Sequence, residues 1–157
     1  MNQYSPLRTA TEQDIPRLVE IEGLTQIAPW SIDVFQQCFL QRHHCVVVEE
    51  NALMIGFIMI SSALTGENHI LNLCVDPDYQ RKGYGKMLLD YAISQAKLNN
   101  VDIIYLEVRR SNNTAIRLYD KSGFVQIGER KNYYPSPGGR EDALIMAMDL
   151  TAFRIND

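Results

Sequence analysis

Residues 73–85 read LCVDPDYQRKGYG, and they say more about this chain than any other segment. A strand-like apolar run is followed by a basic turn with two glycines, and a helical pattern begins near Gly85. The N terminus of a helix carries free N–H groups and partial positive charge, which favours phosphate binding. Gly83 and Gly85 let the backbone approach a ligand closely because they have no Cβ atom. The segment therefore predicts a cradle for a pyrophosphate group.

The composition is ordinary for a globular protein. The chain has 157 residues, of which 46% are hydrophobic and 22% charged. This length predicts one domain over residues 1–150, with a tail at 151–157. The formal net charge is −4, which argues against direct binding of nucleic acid, since such proteins usually present a basic surface.

The apolar runs also bear on location. They are short and strand-like, so none is long enough to cross a membrane. Residues 1–6 have neither the basic nor the apolar region of a secretory signal. We therefore expect a cytoplasmic protein without a membrane partner.

Four segments have the apolar spacing of helices. The first two begin after Asp14 and Ser31, and Trp30 and Phe35 form a hydrophobic staple at the start of the second. The break between them is expected at residues 23–29. The other two helical patterns cover residues 85–98 and 113–121.

Seven shorter segments have the composition of strands, at residues 7–10, 45–49, 54–61, 69–75, 103–108, 124–128 and 143–150. Residues 132–139 are expected to form a stiff aromatic loop between the last two strands. Early hairpins predict antiparallel pairing, and two later strand–helix–strand crossovers predict locally parallel pairing. The predicted fold is α+β, with a central twisted, mixed and mostly antiparallel sheet of about seven strands flanked by about four helices.

Three nucleotide-binding motifs compete for the glycine turn. A Walker A loop fails because it requires Gly where Gln80 stands and Ser or Thr where Met87 stands. A Rossmann turn has two of its three glycines here, but Leu88 occupies the place of the third. Glu107 does lie at the distance of the acidic residue of that motif, although a Rossmann turn usually opens the first strand–helix unit. The third pattern, Q-x-x-G-x-G, is matched in full by residues 80–85.

This third pattern and its surroundings resemble the GNAT superfamily of acetyl-CoA-dependent N-acetyltransferases. The supporting segments are NLCVDP at 72–77, LEVRRSN at 106–112, AIRLY at 115–119, NYYP at 132–135 and GREDA at 139–143. Within the superfamily, the chain resembles bacterial enzymes that acetylate the N-terminal alanine of a ribosomal protein. The resemblance covers residues 15–150 and implies the GNAT fold with acetyl-CoA as cosubstrate.

The resemblance implies chemical roles for two residues. Glu107 matches the general base that takes a proton from the amine, and Tyr119 matches the acid that protonates the departing thiolate. The residues alone leave other interpretations open. Glu107 can be an exposed strand-end carboxylate or an ion-pair partner of Arg109 or Arg110, and Tyr119 can be an amphipathic core tyrosine with its hydroxyl at the surface.

The resemblance also implies a set of cofactor contacts along the strand, the turn and the next helix start. Asn112 has the residue type of a helix N-cap, and the resemblance adds a cofactor contact to that role. A backbone N–H within residues 73–75 is the implied donor to the oxyanion. The full implied set is Leu73, Cys74, Val75, Arg81, Lys82, Gly83, Tyr84, Gly85, Lys86 and Asn112.

The three cysteines are predicted to be buried free thiols. Cys38, Cys45 and Cys74 are odd in number and have no C-x-x-C or zinc-ligand spacing, so we expect no metal. Cys74 could instead be a nucleophile that forms an acyl-enzyme. Packing is the favoured interpretation because no histidine lies in its motif and His69 is five residues away.

On the acceptor side, the resemblance makes the 132–139 loop a clamp for an extended peptide. The loop would face residues 23–29 across a cleft. The implied substrate contacts are Trp30, Tyr133 and Tyr134.

The implied substrate is the N-terminal alanine of small-subunit ribosomal protein eighteen, a basic partner. Carboxylates such as Glu22, Asp33 and Glu141 could attract its positive residues. Acetylation of a lysine ε-amine or of a small amine is an alternative. A CoA-binding regulatory module without turnover is another, and a nicotinamide-binding domain is a third.

Overall fold

Seven strands pair into one sheet, in the order β1-β2-β3-β4-β5-β7-β6. The computed structural model describes residues 5–61 and 66–154. The sheet confirms the predicted mixed and mostly antiparallel fold. The strands are β1 (Leu7–Thr9), β2 (His44–Glu50), β3 (Leu53–Ile60), β4 (Glu67–Val75), β5 (Ile103–Arg109), β6 (Val125–Ser136) and β7 (Gly139–Asp149).

Four helices flank the sheet, as the apolar spacing predicts. They are α1 (Ile15–Thr25), α2 (Ile32–Leu40), α3 (Tyr84–Leu98) and α4 (Asn113–Ser122). Ser31 caps α2, since its hydroxyl accepts a hydrogen bond from the Val34 N–H. The rings of Trp30 and Phe35 lie 5.4 Å apart in an edge-on arrangement, which confirms the predicted staple. Across the described residues, no helix has both the length and the apolar character needed to cross a membrane.

Both faces of the central strands are buried because apolar side chains occupy successive positions. In β2, Val46 and Val48 pack in a core with residues of α3 and α4. Cys45 and Val47 point to the opposite face and pack in a second core with residues of α1 and α2. The alternation of side chains along a strand thus divides the apolar residues between two cores. The sheet lies between the two pairs of helices.

Among the strands formed by the described residues, one neighbouring pair is parallel. β4 and β5 pair in parallel through the crossover helix α3. The later crossover through α4 does not create a second parallel pair, because β7 inserts between β5 and β6 and pairs antiparallel with both. The prediction of parallel pairing is therefore confirmed for the first crossover and wrong for the second.

Two local predictions are wrong. Residues 132–139 do not form a loop, because β6 continues to Ser136 and β7 begins at Gly139. A register shift between Arg130 and Tyr134 gives this hairpin an irregular middle section. The break expected at residues 23–29 begins later, because α1 continues through Gly23 to Thr25.

The first residues after position 150 pack against the domain. Thr151–Phe153 form a short 3-10 helix. Lys97 lies 4.0 Å from the centre of the Phe153 ring, and the guanidinium of Arg154 pairs with Asp102. These contacts fix the described part of the tail beside the start of β5.

Candidate active site

A cavity opens where β4 and β5 separate. The two strands pair only from Glu67–Ile103 to Ile70–Leu106, although β4 continues to Val75 and β5 to Arg109. The space between their free ends holds a cavity of about 220 Å³. It brings together six of the residues predicted for the site, namely Trp30, Leu73, Glu107, Asn112, Tyr119 and Tyr134.

A bulge in β4 determines which backbone groups face this cavity. Ile60 pairs with Ile70 and Met59 with Asn72, so Leu71 is an extra residue in β4. Beyond the bulge, the Asp76 N–H donates to the Ile55 carbonyl at 2.7 Å, toward β3. Backbone direction alternates along a strand, so the backbone groups of Cys74 also face β3.

Leu73 and Val75 therefore direct their backbone groups toward the gap. The Val75 carbonyl already accepts a hydrogen bond from the Gln80 amide at 3.0 Å. Leu73 lines the cavity. Its N–H is a donor in the part of β4 that has separated from β5. This position agrees with the donor expected within residues 73–75.

The glycine turn leaves helix α3 without a side-chain cap. Gly83 is the N-cap, in the left-handed conformation with φ of 88°. The first described hydrogen bond into the helix runs from the Met87 N–H to the Gly83 carbonyl at 3.0 Å. The N–H groups of the first turn, including those of Tyr84, Gly85 and Lys86, thus have no partner within the helix.

The space above this turn is open. A Cβ atom added at Gly83 would meet no atom within 4 Å among the described residues. Open space at the positive end of a 15-residue helix fits an anionic group such as pyrophosphate. The residues present therefore fit the cofactor that the sequence predicts.

A buried ion pair anchors the start of the turn. Asp76 is only 6% exposed, and its carboxylate accepts a hydrogen bond from the Arg17 guanidinium at 2.8 Å. Its other oxygen accepts from the Asp78 N–H at 3.0 Å. Because Arg17 belongs to α1, this ion pair joins the end of β4 to the helices on the α1–α2 face of the sheet.

The polar side chains around the turn differ in their partners. Lys86 pairs with Asp90 at 2.5 Å, and the Tyr84 hydroxyl donates to Glu50 at 3.0 Å. The Lys82 ammonium lies 5.2 Å from the centre of the Tyr79 ring. Arg81 makes no ion pair within the described residues, so its charge is available to an anion at the turn.

Glu107 lies where β5 begins to separate from β4. Its carboxylate contacts one side chain at each oxygen. The Oε2 atom accepts a hydrogen bond from His69 Nε2, and Oε1 lies 3.4 Å from Arg130 Nε. The alternative interpretation, in which Glu107 pairs with Arg109 or Arg110, does not hold, because its charged partners are His69 and Arg130. The hydrogen bond from His69 is the main cause that holds the pKa of Glu107 below its usual value, against the effect of burial. The carboxylate is therefore ionised at neutral pH.

Tyr119 enters the same cavity from helix α4. Asn112 caps this helix, since its Oδ1 accepts from the Ala115 N–H at 3.2 Å, which confirms the predicted cap. The Tyr119 ring packs edge-on against Phe124 at 5.7 Å and is 6% exposed, so its hydroxyl does not lie at the protein surface. Burial raises the pKa of Tyr119 well above its usual value. At neutral pH the phenol is therefore a proton donor.

The β6–β7 hairpin forms one wall of the cavity through Tyr134. Arg109 stacks on the Tyr134 ring at 4.5 Å and donates to the Pro135 carbonyl at 2.6 Å. It also pairs with Glu141 at 3.0 Å, so Glu141 supports the hairpin instead of facing a ligand. Tyr133 does not line the cavity, and it is 44% exposed.

Glu22 forms the opposite wall with Trp30. Its carboxylate is 1% exposed and accepts hydrogen bonds from the Trp30 N–H at 3.0 Å and the Asn72 amide at 2.7 Å. Glu22 therefore fixes the segment between α1 and α2, which the sequence did not predict. Asp33 does not line this cavity and is exposed beside a separate groove on α2.

The Cys74 side chain lies on the face of β4 that packs against α1. Its thiol contacts Glu22 at 3.3 Å and Asn72 at 3.2 Å, in the core below α1. Burial raises the pKa of Cys74 to about 12, so the thiol stays protonated. This environment supports packing and not nucleophilic attack. All three cysteines are free and buried.

In the part of the chain that the structure describes, no three His, Cys, Asp or Glu residues are arranged to hold a metal ion. The cavity offers instead an ionised carboxylate, a protonated phenol and a strand edge. These groups can accept a proton, donate a proton and bind an amide or carbonyl group.

The chain matches known proteins over most of its length. The family model for the Acetyltransferase (GNAT) family matches residues 13–124. The ribosomal protein bS18-alanine N-acetyltransferase of Escherichia coli strain K12 is 38% identical over 151 residues, which cover 96% of this chain and 99% of that protein. The Haemophilus ducreyi protein with the same name is 41% identical over 145 residues, with 92% and 99% covered.

A solved structure extends this likeness to the fold. The crystal structure of the ribosomal-protein-S18-alanine N-acetyltransferase from Escherichia coli matches with a TM-score of 0.88 and 35% identity. The match covers 96% of this chain and 95% of that one. The sequence match, the separated parallel strands and the uncapped glycine turn agree, and this chain belongs to the GNAT family of acetyltransferases.

Proposed function

We propose that this protein transfers the acetyl group of acetyl-CoA to the N-terminal α-amine of a protein that begins with alanine. The observation that carries this proposal is the shared cavity, which Glu107 and Tyr119 line together between the separated strands. The names of the relatives indicate the substrate, the N-terminal alanine of ribosomal protein bS18. The proposed partner is thus the N terminus of a basic ribosomal protein, and the proposed location is the cytoplasm.

The chain offers two sets of groups to acetyl-CoA. The N–H groups at the start of α3 and the guanidinium of Arg81 would hold the pyrophosphate. The Leu73 N–H would donate to the acetyl carbonyl oxygen as negative charge develops there. Bound acetyl-CoA supplies an acetyl group activated as a thioester.

Glu107 and Tyr119 divide the proton transfers. Glu107 is ionised and accepts the proton that the amine nitrogen loses as it attacks, directly or through a water molecule. Tyr119 is protonated and donates to the departing thiolate. Both line the cavity, and their opposite protonation states at neutral pH suit these two roles.

The α-amine suits a carboxylate base better than a lysine does. An α-amine has a pKa of about 7.7–8.0 and a lysine ε-amine about 10.4 in model peptides. A sizeable fraction of the α-amine is therefore neutral near pH 7, whereas almost all of a lysine is charged. A carboxylate whose pKa is held low is a weak base, so it requires an acceptor that loses its proton easily.

The direct test is a mass-spectrometric assay with matched peptides. A peptide that begins Ala-Arg and contains an internal lysine should gain one acetyl group at its N terminus. The same peptide with a blocked N terminus should gain none. Faster modification of the lysine would identify a lysine acetyltransferase. Binding of acetyl-CoA without any acetylated product would identify a binding module.

The pyrophosphate site is tested with Gly83→Val. The substitution adds a side chain to the open space above the helix and forces a β-branched residue into a left-handed conformation. Acetyl-CoA affinity should fall about 10-fold or more, the equivalent of one lost charge-assisted hydrogen bond. Calorimetry measures this change.

Gly139→Val is the matched control for this test. Gly139 is also left-handed, with φ of +127° and open space at its Cβ position, but it lies in the β6–β7 hairpin. Its substitution should leave acetyl-CoA affinity unchanged. Equal affinities for the two folded variants would exclude the proposed cradle.

The acid role is tested with Tyr119→Phe, which keeps the packed ring and removes only the hydroxyl. Turnover should fall about 10²-fold, a usual effect of losing a positioned acid, while acetyl-CoA affinity stays the same. Tyr91→Phe is the control, because it removes a hydroxyl that contacts His44 at 3.4 Å on another part of the sheet. Near-normal turnover by Tyr119→Phe would remove this residue from the reaction.

The base role is tested by the pH dependence of Glu107→Gln. Because the pKa of Glu107 is lowered, its protonation does not limit the native enzyme near neutral pH. Loss of activity on mild acidification should follow protonation of the α-amine. The glutamine variant should lose about 10²-fold near pH 7.

This deficit should shrink as the pH rises through the pKa of the α-amine, where the substrate is already neutral. Glu129→Gln, which removes a carboxylate paired with Arg110, should keep the native profile. A Glu107→Gln profile of native height and shape would exclude Glu107 as the base.

A further inference from the structure

His69 contacts the carboxylate of Glu107, which lines the cavity. Its Nε2 donates to Glu107 Oε2. The His69 backbone is fixed, because its N–H donates to the Ser61 hydroxyl and its carbonyl accepts from the Ser61 N–H, both at 2.9 Å. The imidazole is 36% exposed and the Glu107 side chain 12%. The pair therefore connects a half-buried carboxylate to an anchored, more exposed ring.

The register explains why Glu107 requires such a partner. His69 pairs with Tyr105, and the parallel pairing ends one residue later, at Ile70–Leu106. Glu107 is the first residue of β5 beyond this pairing, at the position where the neighbouring strand turns away. His69 reaches it from the last paired part of β4.

The groups that face the carboxylate come from two elements. His69 on β4 donates to Oε2, and Arg130 on β6 lies 3.4 Å from Oε1. Burial raises the pKa of Tyr134, also on β6, and the negative charge of the nearby Glu107 raises it further. Arg130 is 53% exposed, so solvent screens its charge. Among the described side chains, His69 makes the stronger hydrogen bond to Glu107, since its contribution to the lowered pKa of Glu107 is the largest and that of Arg130 is smaller.

We propose that His69 is a positioning residue, which holds Oε2 of Glu107 so that the remaining acceptor positions of the carboxylate face the amine. A carboxylate oxygen has two lone pairs, so each oxygen can keep its protein partner and still accept a proton. A neutral imidazole protonated at Nε2 is sufficient for this role. The proposal depends on Glu107 as the base of the proposed function.

Two substitutions separate the hydrogen bond from the volume of the ring. His69→Gln keeps an N–H donor at about the reach of Nε2, and His69→Leu fills similar space without a donor. His44→Leu is the matched control, because His44 lies on β2 and contacts Tyr91. Each variant is measured in two ways. One is the titration of the Glu107 carboxyl by carbon NMR in the free protein, and the other is kcat and KM on an alanine-initiated peptide.

The Leu variant should raise the titration midpoint of Glu107, because the hydrogen bond that favours the charged form is lost. Its kcat should fall about 10-fold through loss of alignment, with KM for acetyl-CoA unchanged. His69→Gln should restore most of both properties, and His44→Leu should change neither. In a Glu107→Gln background, His69→Leu should cause no further loss.

Two results would overturn the proposal. One is a His69→Leu protein with native Glu107 titration and native kcat. The other is an equal loss of kcat with and without the Glu107 carboxylate, since His69 would then act only through the fold. The NMR titration requires no substrate. A native protein that acetylates no alanine-initiated peptide would therefore reject the proposed function separately from the His69–Glu107 interaction.

Discussion

Leu71 adds one residue to β4 relative to β3, and the rest of the site depends on this insertion. The insertion reverses which backbone groups face β3 and which face away. Pairing between β4 and β5 ends immediately before this extra residue, at Ile70 and Leu106. Free backbone groups therefore face a gap instead of a neighbouring strand. The gap and the unpaired β4-facing side of the last residues of β5 both lie next to this local change.

The two proton-transfer groups acquire opposite properties from their surroundings. Tyr119 is enclosed by apolar neighbours, and burial favours its neutral form. Glu107 is also partly buried, but a hydrogen bond from His69 and the charge of Arg130 favour its ionised form. One small cavity can therefore hold an acid and a base at the same pH.

Sequence reasoning succeeded where structure depends on nearby residues. The strand–turn–helix unit and the caps at Ser31 and Asn112 follow from local preferences. The last two strands were predicted, but their continuation through residues 132–139 was not, because Pro135 argues against a strand. β6 is an edge strand, where a proline is tolerated. The partners of Glu107 were also missed. His69 is 38 residues away, and strand register brings the two together.

β4 lies in the middle of the sheet, but beyond Ile70 the side that faces β5 has no strand partner, like the edge of a sheet. Edges usually invite strand addition by other chains, which leads to aggregation. Here β5 stands opposite, and helices cover both faces of the sheet. The gap is therefore open to a single extended chain that carries amide groups. The protein thus keeps backbone donors and acceptors unpaired in the interior of a sheet, where neighbouring strands normally pair them.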